Sequence, residues 1–133
     1  MPWVPHSSAQ TALSGFFYEN RRRFLLMPLV ELDVRVTPGR IRVADVAVFF
    51  KQAPREKVVT VPPVAVIEIL SPGERYRELI DKLEDYRRMG VPNIWLVNTE
   101  PLQFQVYSQA GLLNVDAFEL PEYGVRIDPS VLE

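Results

Sequence analysis

Val64 to Asn98 reads VAVIEILSPGERYRELIDKLEDYRRMGVPNIWLVN, and this stretch decides the fold. Val64 to Leu70 is apolar apart from Glu68, the composition of a strand covered on both faces. Ser71-Pro72-Gly73-Glu74 breaks that strand and opens a helix to Met89, with Tyr76, Leu79, Ile80, Leu83 and Arg87 along one stripe. Gly90 supplies the stop, and Asn93 to Asn98 returns as a second apolar strand. Strand, helix and strand in this order imply a parallel pair joined by a right-handed crossover, because a twisted strand feeding a helix packs back on the sheet in that hand.

Upstream, Val30, Leu32, Val34 and Val36 alternate with Glu31, Asp33 and Arg35, the period of a half-exposed strand from Leu29 to Val36. Thr37-Pro38-Gly39-Arg40 is a turn, and Ile41 to Phe50 is a second strand, so the two are expected to form an antiparallel hairpin. Before them, Ala12, Leu13, Phe16 and Phe17, with Met27 beyond, recur at helical spacing, and Ser7 or Ser8 is available as an N-cap. A first helix is therefore predicted from Ser7 to Arg23. Downstream, Leu102 to Tyr107 alternates as a strand, a short strand is expected near Val115 to Phe118 after a Gly111 turn, and the C-terminus reads as loop or edge. The sum is an α/β chain, a mixed sheet flanked by helices, in a single domain over residues 1–133.

Composition narrows the chemistry. Zero cysteines exclude a disulfide framework, a thiolate nucleophile and a Cys-based zinc site, and the single His6 excludes a multi-histidine centre. Any metal must rely on carboxylate and carbonyl oxygens, a set suited to hard cations such as Mg²⁺ or Mn²⁺. No run approaches the ~20 apolar residues of a membrane helix and no secretory leader is evident, so a cytoplasmic protein off the membrane is expected. Net charge is −2, yet the first 60 residues hold nine Lys/Arg against five Asp/Glu and the remainder six against twelve. That asymmetry suits either a basic patch or, at Arg21, Arg22 and Arg23, the solvated end of a helix.

Two acids stand out. Asp45 and Glu68 are each the only acid in an otherwise apolar strand, where an unpartnered carboxylate costs several kcal/mol even after relaxation. Each has two explanations on its residues alone: an arginine partner such as Arg42, Arg35 or Arg75 or a wet strand end, or a cation shared between the two. Lys82, at the margin of the helix stripe about two turns in, can point back over the Glu68 strand at ~1.5 Å rise per residue. Equally it can lie along the surface beside Glu78.

The order Ala44-Asp45-Val46-Ala47-Val48, then Pro62 through Glu68 to Pro72, then Asp81-Lys82-Leu83-Glu84-Asp85-Tyr86, then Gly90 to Asn98 with Trp95, resembles the Uma-type family of restriction endonucleases in the PD-(D/E)XK nuclease superfamily. The likeness runs in order and spacing from about Val30 to Tyr107. It implies that Asp45, Glu68 and the Ile69 backbone carbonyl bind Mg²⁺ or Mn²⁺, and that Lys82 supports the attacking water in hydrolysis of DNA. Two departures accompany it. The common superfamily lysine position is occupied by Leu70, and Ala44 replaces the proline before the acid. The resemblance also implies an additional N-terminal segment of strands that this sequence lacks. Glu31 is a candidate outer ligand, Tyr86 a support for Lys82 or a core residue, and His6 an accessory or a solvent-exposed side chain.

Three readings follow. The chain is a metal-dependent endodeoxyribonuclease, expected as a homodimer, contacting phosphates through Arg21, Arg40, Arg42 and Arg75. Or it is a catalytically inactive nuclease-like module for dimerisation or partner binding. Or it is a fragment of an active enzyme, with an exposed apolar surface where the missing strands dock.

Overall fold

The computed structural model describes residues 4–133. A first helix, α1, spans Val4–Glu19, and a one-turn helix, α2, spans Arg21–Phe24. The single helix expected to Arg23 is broken at Asn20, whose side-chain amide turns back to the Phe16 carbonyl. Leu25 then takes a left-handed conformation and directs the chain into the sheet, so Met27 lies in a strand rather than in a helical continuation.

Strands β1 (Leu26–Thr37) and β2 (Arg40–Phe50) form the expected hairpin, longer than the alternation alone indicated. Strand β3 (Ala65–Ile69) is buried at every position, as its composition requires. Helix α3 (Tyr76–Met89) starts two residues later than expected. It ends at Gly90, whose positive φ of 105° lets its N–H return to the Tyr86 and Arg87 carbonyls. Strand β4 (Asn93–Thr99) pairs parallel with β3 across the α3 crossover, and β5 (Leu102–Ser108) and β6 (Gly111–Val115) follow antiparallel. The six strands are ordered β1-β2-β3-β4-β5-β6. Among the described residues no helix is long and apolar enough to cross a membrane.

Two expectations at the C-terminal end are corrected. The strand placed near Val115 to Phe118 is two strands: β6 begins at Gly111, and β7 (Phe118–Leu120) pairs with β8 (Val125–Ile127) in a separate hairpin. Phe118 does not extend β6 because its ring is needed inside, stacked on Trp95 at 4.5 Å and Phe104 at 4.2 Å between centroids. The tail read as loop or edge thus closes the core.

The sheet carries a core on each face. Leu13 and Phe17 of α1 pack with Leu26, Val46, Val48, Ile67, Trp95 and Val97 on one side. Leu79, Leu83 and Tyr86 of α3 pack with Val34, Ala44, Ala47, Val66 and Leu96 on the other. Tyr76, assigned to the apolar stripe of α3, is 65% exposed, because the first turn of α3 projects past the sheet and Leu79 begins the contact. The segment between β2 and β3 is anchored by Val59, which exchanges backbone hydrogen bonds with Asp33 and Arg35 along the outer edge of β1.

One irregularity shapes the site. The β1–β2 register runs Val30–Val46 and then Leu32–Ala44, with no rung between Glu31 and Asp45. Leu29 and Leu32, three apart, both face the α3 core, and so do Ala44 and Ala47. Strict strand alternation would place the members of each pair on opposite faces, so both strands kink where Glu31 meets Asp45.

Candidate active site

Asp45 and Glu68 meet where β2 and β3 part. The ladder between these strands holds through Val46–Ile67, and the next rung in that register would join Asp45 to Glu68. Their side chains brace the opening instead. Asp45 N–H donates to Glu68 Oε2 at 3.1 Å, and Ile69 N–H donates to Asp45 Oδ2 at 2.7 Å. Each carboxylate satisfies a backbone group of the other strand, so the acids fold the gap as well as occupy it. Ile69 directs its N–H toward β2, and in an extended strand the carbonyl of the same residue points the same way.

Lys82 reaches Glu68 from α3, and its ammonium forms an ion pair with Glu68 Oε1. Neither carboxylate takes an arginine. Arg42 and Arg40 instead hold Asp85, with Arg42 Nε at 2.8 Å, and Arg35 donates to the Pro38 carbonyl. The two arginines expected to contact phosphate at Arg40 and Arg42 are thereby engaged in tying α3 to the hairpin.

Glu68 is only 2% exposed. Burial pushes its carboxyl up to about 8; the Lys82 charge pulls it down and the Asp45 charge pushes it up again. The site therefore retains an appetite for positive charge that one lysine does not fill. Tyr86, one turn beyond Lys82, is fully buried beside Glu68, and its hydroxyl makes no well-formed hydrogen bond among the described residues. Burial first, and then the charges of Glu68 and Asp45, hold its phenol well above the ordinary range. A buried donor left open beside two carboxylates is a place for a water or an ion-bound oxygen.

Helix α1 closes the other side. His6 Nε2 lies 3.2 Å from Asp45 Oδ2, with a side chain 13% exposed, so His6 is a partner of the acid and not a solvent-exposed side chain. Glu31 lies beside Asp45, linked through a residue the sequence reading passed over. Gln10 Nε2 donates to Glu31 Oε1 and to the Asp45 carbonyl, both at 2.9 Å. The signal available for Gln10 was its place four residues after His6, bordering the buried stripe of Ala9, Leu13 and Phe17.

Among the described residues no three His, Asp or Glu side chains gather as a ready-made cage. The donor set still suits a hard cation. Two carboxylates and a carbonyl offer oxygen ligands, Asp45 Oδ1 makes no hydrogen bond among the described residues, and Mg²⁺ characteristically keeps several waters.

The family described as "Putative restriction endonuclease", Uma2, matches residues 1–127. This chain belongs to the Uma2 family. A similar fold is found in the crystal structure of a "putative nuclease" from Anabaena variabilis ATCC 29413, with a TM-score of 0.84 at 20% identity, covering 99% of this chain and 82% of that one. No curated protein sequence matches the chain. The mixed six-stranded sheet flanked by helices is thus the fold of that neighbour, and Asp45, Glu68 and Lys82 converge within this Uma2 protein at the parting of its central strands.

Proposed function

We propose that this Uma2 protein is a metal-dependent endonuclease that hydrolyses phosphodiester bonds in DNA. Asp45, Glu68 and the Ile69 carbonyl would hold Mg²⁺ or Mn²⁺, which when bound acidifies water and offsets charge on the phosphate. Lys82, kept beside Glu68 by its ion pair, donates hydrogen bonds to the attacking water or to the charge that develops on the phosphoryl oxygens. Tyr86 offers a further donor from the buried wall, and His6 holds Asp45 in orientation. The observation that carries this reading is the reciprocal bracing of Asp45 and Glu68 with Lys82 on the same acid, a costly arrangement that a hydrophobic pair would replace more cheaply if only stability mattered.

The assay is nicking or linearisation of supercoiled DNA with Mg²⁺ or Mn²⁺, by wild type and Glu68→Ala. Metal-dependent cleavage lost in the variant supports the assignment, and equal cleavage by both rejects it. The Lys82–Glu68 ion pair favours a second reading, since it partly compensates the buried acid with no metal at all. On that reading the chain is an inactive nuclease-like module, and no cleavage by either protein is its expected result. Homodimerisation belongs to both readings. It is supported by the outer edge of β1 from Leu26 to Leu32, unpaired among the described residues and flanked by Val30 at 48% and Tyr18 at 52% exposure.

A further inference from the structure

Glu31 is a non-glycine residue with φ of +49°, a left-handed conformation costing an acid about 1 kcal/mol or more. It stands where the β1–β2 ladder loses a rung, opposite Asp45. Such strain persists only when surrounding contacts over-determine it. The contact here is Gln10. Its amide nitrogen has two hydrogens, and the two acceptors are the Glu31 carboxylate on one strand and the Asp45 carbonyl on the other.

The bonding of Asp45 is then distributed between two other elements, β3 and α1. Its N–H goes to Glu68 of β3, its carbonyl to Gln10 of α1, and its carboxylate to His6 of α1 and the Ile69 N–H. A regular ladder would fix the backbone of Asp45 in the sheet plane and its side chain by simple alternation. The lapse in alternation removes that constraint, and Gln10 is the group that bridges both strands at the lapse.

We propose that Gln10 is a positioning residue: by donating to Glu31 and to the Asp45 carbonyl together, it holds the kink that turns Asp45 toward Glu68. The proposal rests on reading Asp45 and Glu68 as one site. It reassigns Glu31 from outer metal ligand to the anchor of this clamp. A neutral amide suits the task, because Gln10→Glu would set a third carboxylate against Glu31 and a carbonyl oxygen.

The test is amide hydrogen exchange followed by NMR in metal-free buffer. Gln10→Met keeps the length of the side chain and removes its donors, whereas Gln10→Lys supplies donors again. Met should speed exchange of the Asp45 and Ile69 amides by about tenfold or more while Val66 and Leu96 stay within about twofold of wild type. Lys should restore most of the lost protection. Asp45 and Ile69 exchanging at the wild-type rate in Gln10→Met overturns the clamp. Equal acceleration by Met and Lys also overturns it, because packing rather than donation would then be responsible. Should Gln10→Met unfold, seen as lost protection at Val66, Gln10→Ala keeps good helix propensity and carries the same comparison with Lys. Because exchange is read without metal, a wild type that binds no Mn²⁺ counts against the metal site and not against the clamp.

Discussion

Replacing Glu68 by Gln should remove a pH dependence of stability that the wild type carries. The carboxyl of Glu68 moves from an ordinary 4.5 to about 8 on folding, chiefly through burial. Between those values the unfolded chain has released the proton while the folded chain keeps it, so stability falls as pH rises. The full contribution is present below about pH 4.5 and is lost by about pH 8. At about 1.4 kcal/mol per pH unit, the rise from pH 4.5 to 7 should cost the wild type about 3 kcal/mol at this residue. For a chain of 133 residues that corresponds to a fall in Tm of about 10 °C. The glutamine amide of the Glu68→Gln variant cannot ionise. It presents the Lys82 ammonium with a neutral group, as the protonated wild-type carboxyl does, and this offset stays constant while the lysine remains charged. Thermal melts of both proteins in chelator-treated buffer from about pH 4.5 to 8.5 isolate the residue, since every other group titrates in both. The expected result is a stability difference that shifts in favour of Glu68→Gln by about 3 kcal/mol between pH 4.5 and 7. Added Mn²⁺ should flatten or reverse the wild-type slope alone, because a bound cation favours the carboxylate. Parallel curves for the two proteins would refute the claim that burial dominates this carboxyl.

Tyr86→Phe should raise Tm by a few degrees in metal-free buffer, because it deletes a buried hydroxyl that has no partner among the described residues and about 1 kcal/mol of desolvation cost with it. A lowered Tm in a calorimetric scan would mean that the hydroxyl donates to Glu68 after all. Lys82→Met should abolish any Mg²⁺-dependent cleavage, and the pH-dependent stability loss at Glu68 should extend further above pH 8, since the main opposing charge is gone. Asp85→Ala should cost about 1 kcal/mol in denaturant titration by freeing Arg40 and Arg42 from α3, while Mn²⁺ affinity stays at the wild-type value. A tenfold loss of Mn²⁺ affinity there would show that the hairpin and the metal site are coupled.

The sheet was legible in the sequence where each strand declares its own environment. Val64 to Leu70 could only be a strand covered on both faces, and Gly90 could only end a helix, because single residues carry those signals. The last strands were not legible, since β6 sets Leu112 and Leu113 side by side with no period-two alternation and none of its five residues is buried. The true placement of Phe118 depends on the rings of Trp95 and Phe104, which lie far away in sequence. The site divides along the same line. Asp45 and Glu68 announce themselves as acids in apolar runs. Lys82 on its residues alone had two open partners, and the distance to Glu68 exists only once α3 lies across the sheet. His6 and Gln10 carried no comparable signal, because a polar residue beside a helix stripe is ordinary until the opposite strand is known.

The kink explains why this site needs two layers. A regular sheet presents alternate residues to opposite faces, so two acids directly across a ladder would share a face and reach only the helix on that side. Here Glu68 receives Lys82 from α3 while Asp45 receives His6 and Gln10 from α1. The lapse at Glu31 and Asp45 is what allows one pair of acids to be held from both faces at once. That arrangement puts the negative charge at the boundary between the two cores, where each acid is braced by the other's strand and neither can leave without exposing a backbone N–H. A change at Asp45 should therefore disturb the Ile69 amide as well as its own position, and a change at Glu68 should disturb Asp45. The pair is a single structural unit before it is anything chemical, because each acid accepts from the other's strand whether or not Glu68 has released its proton.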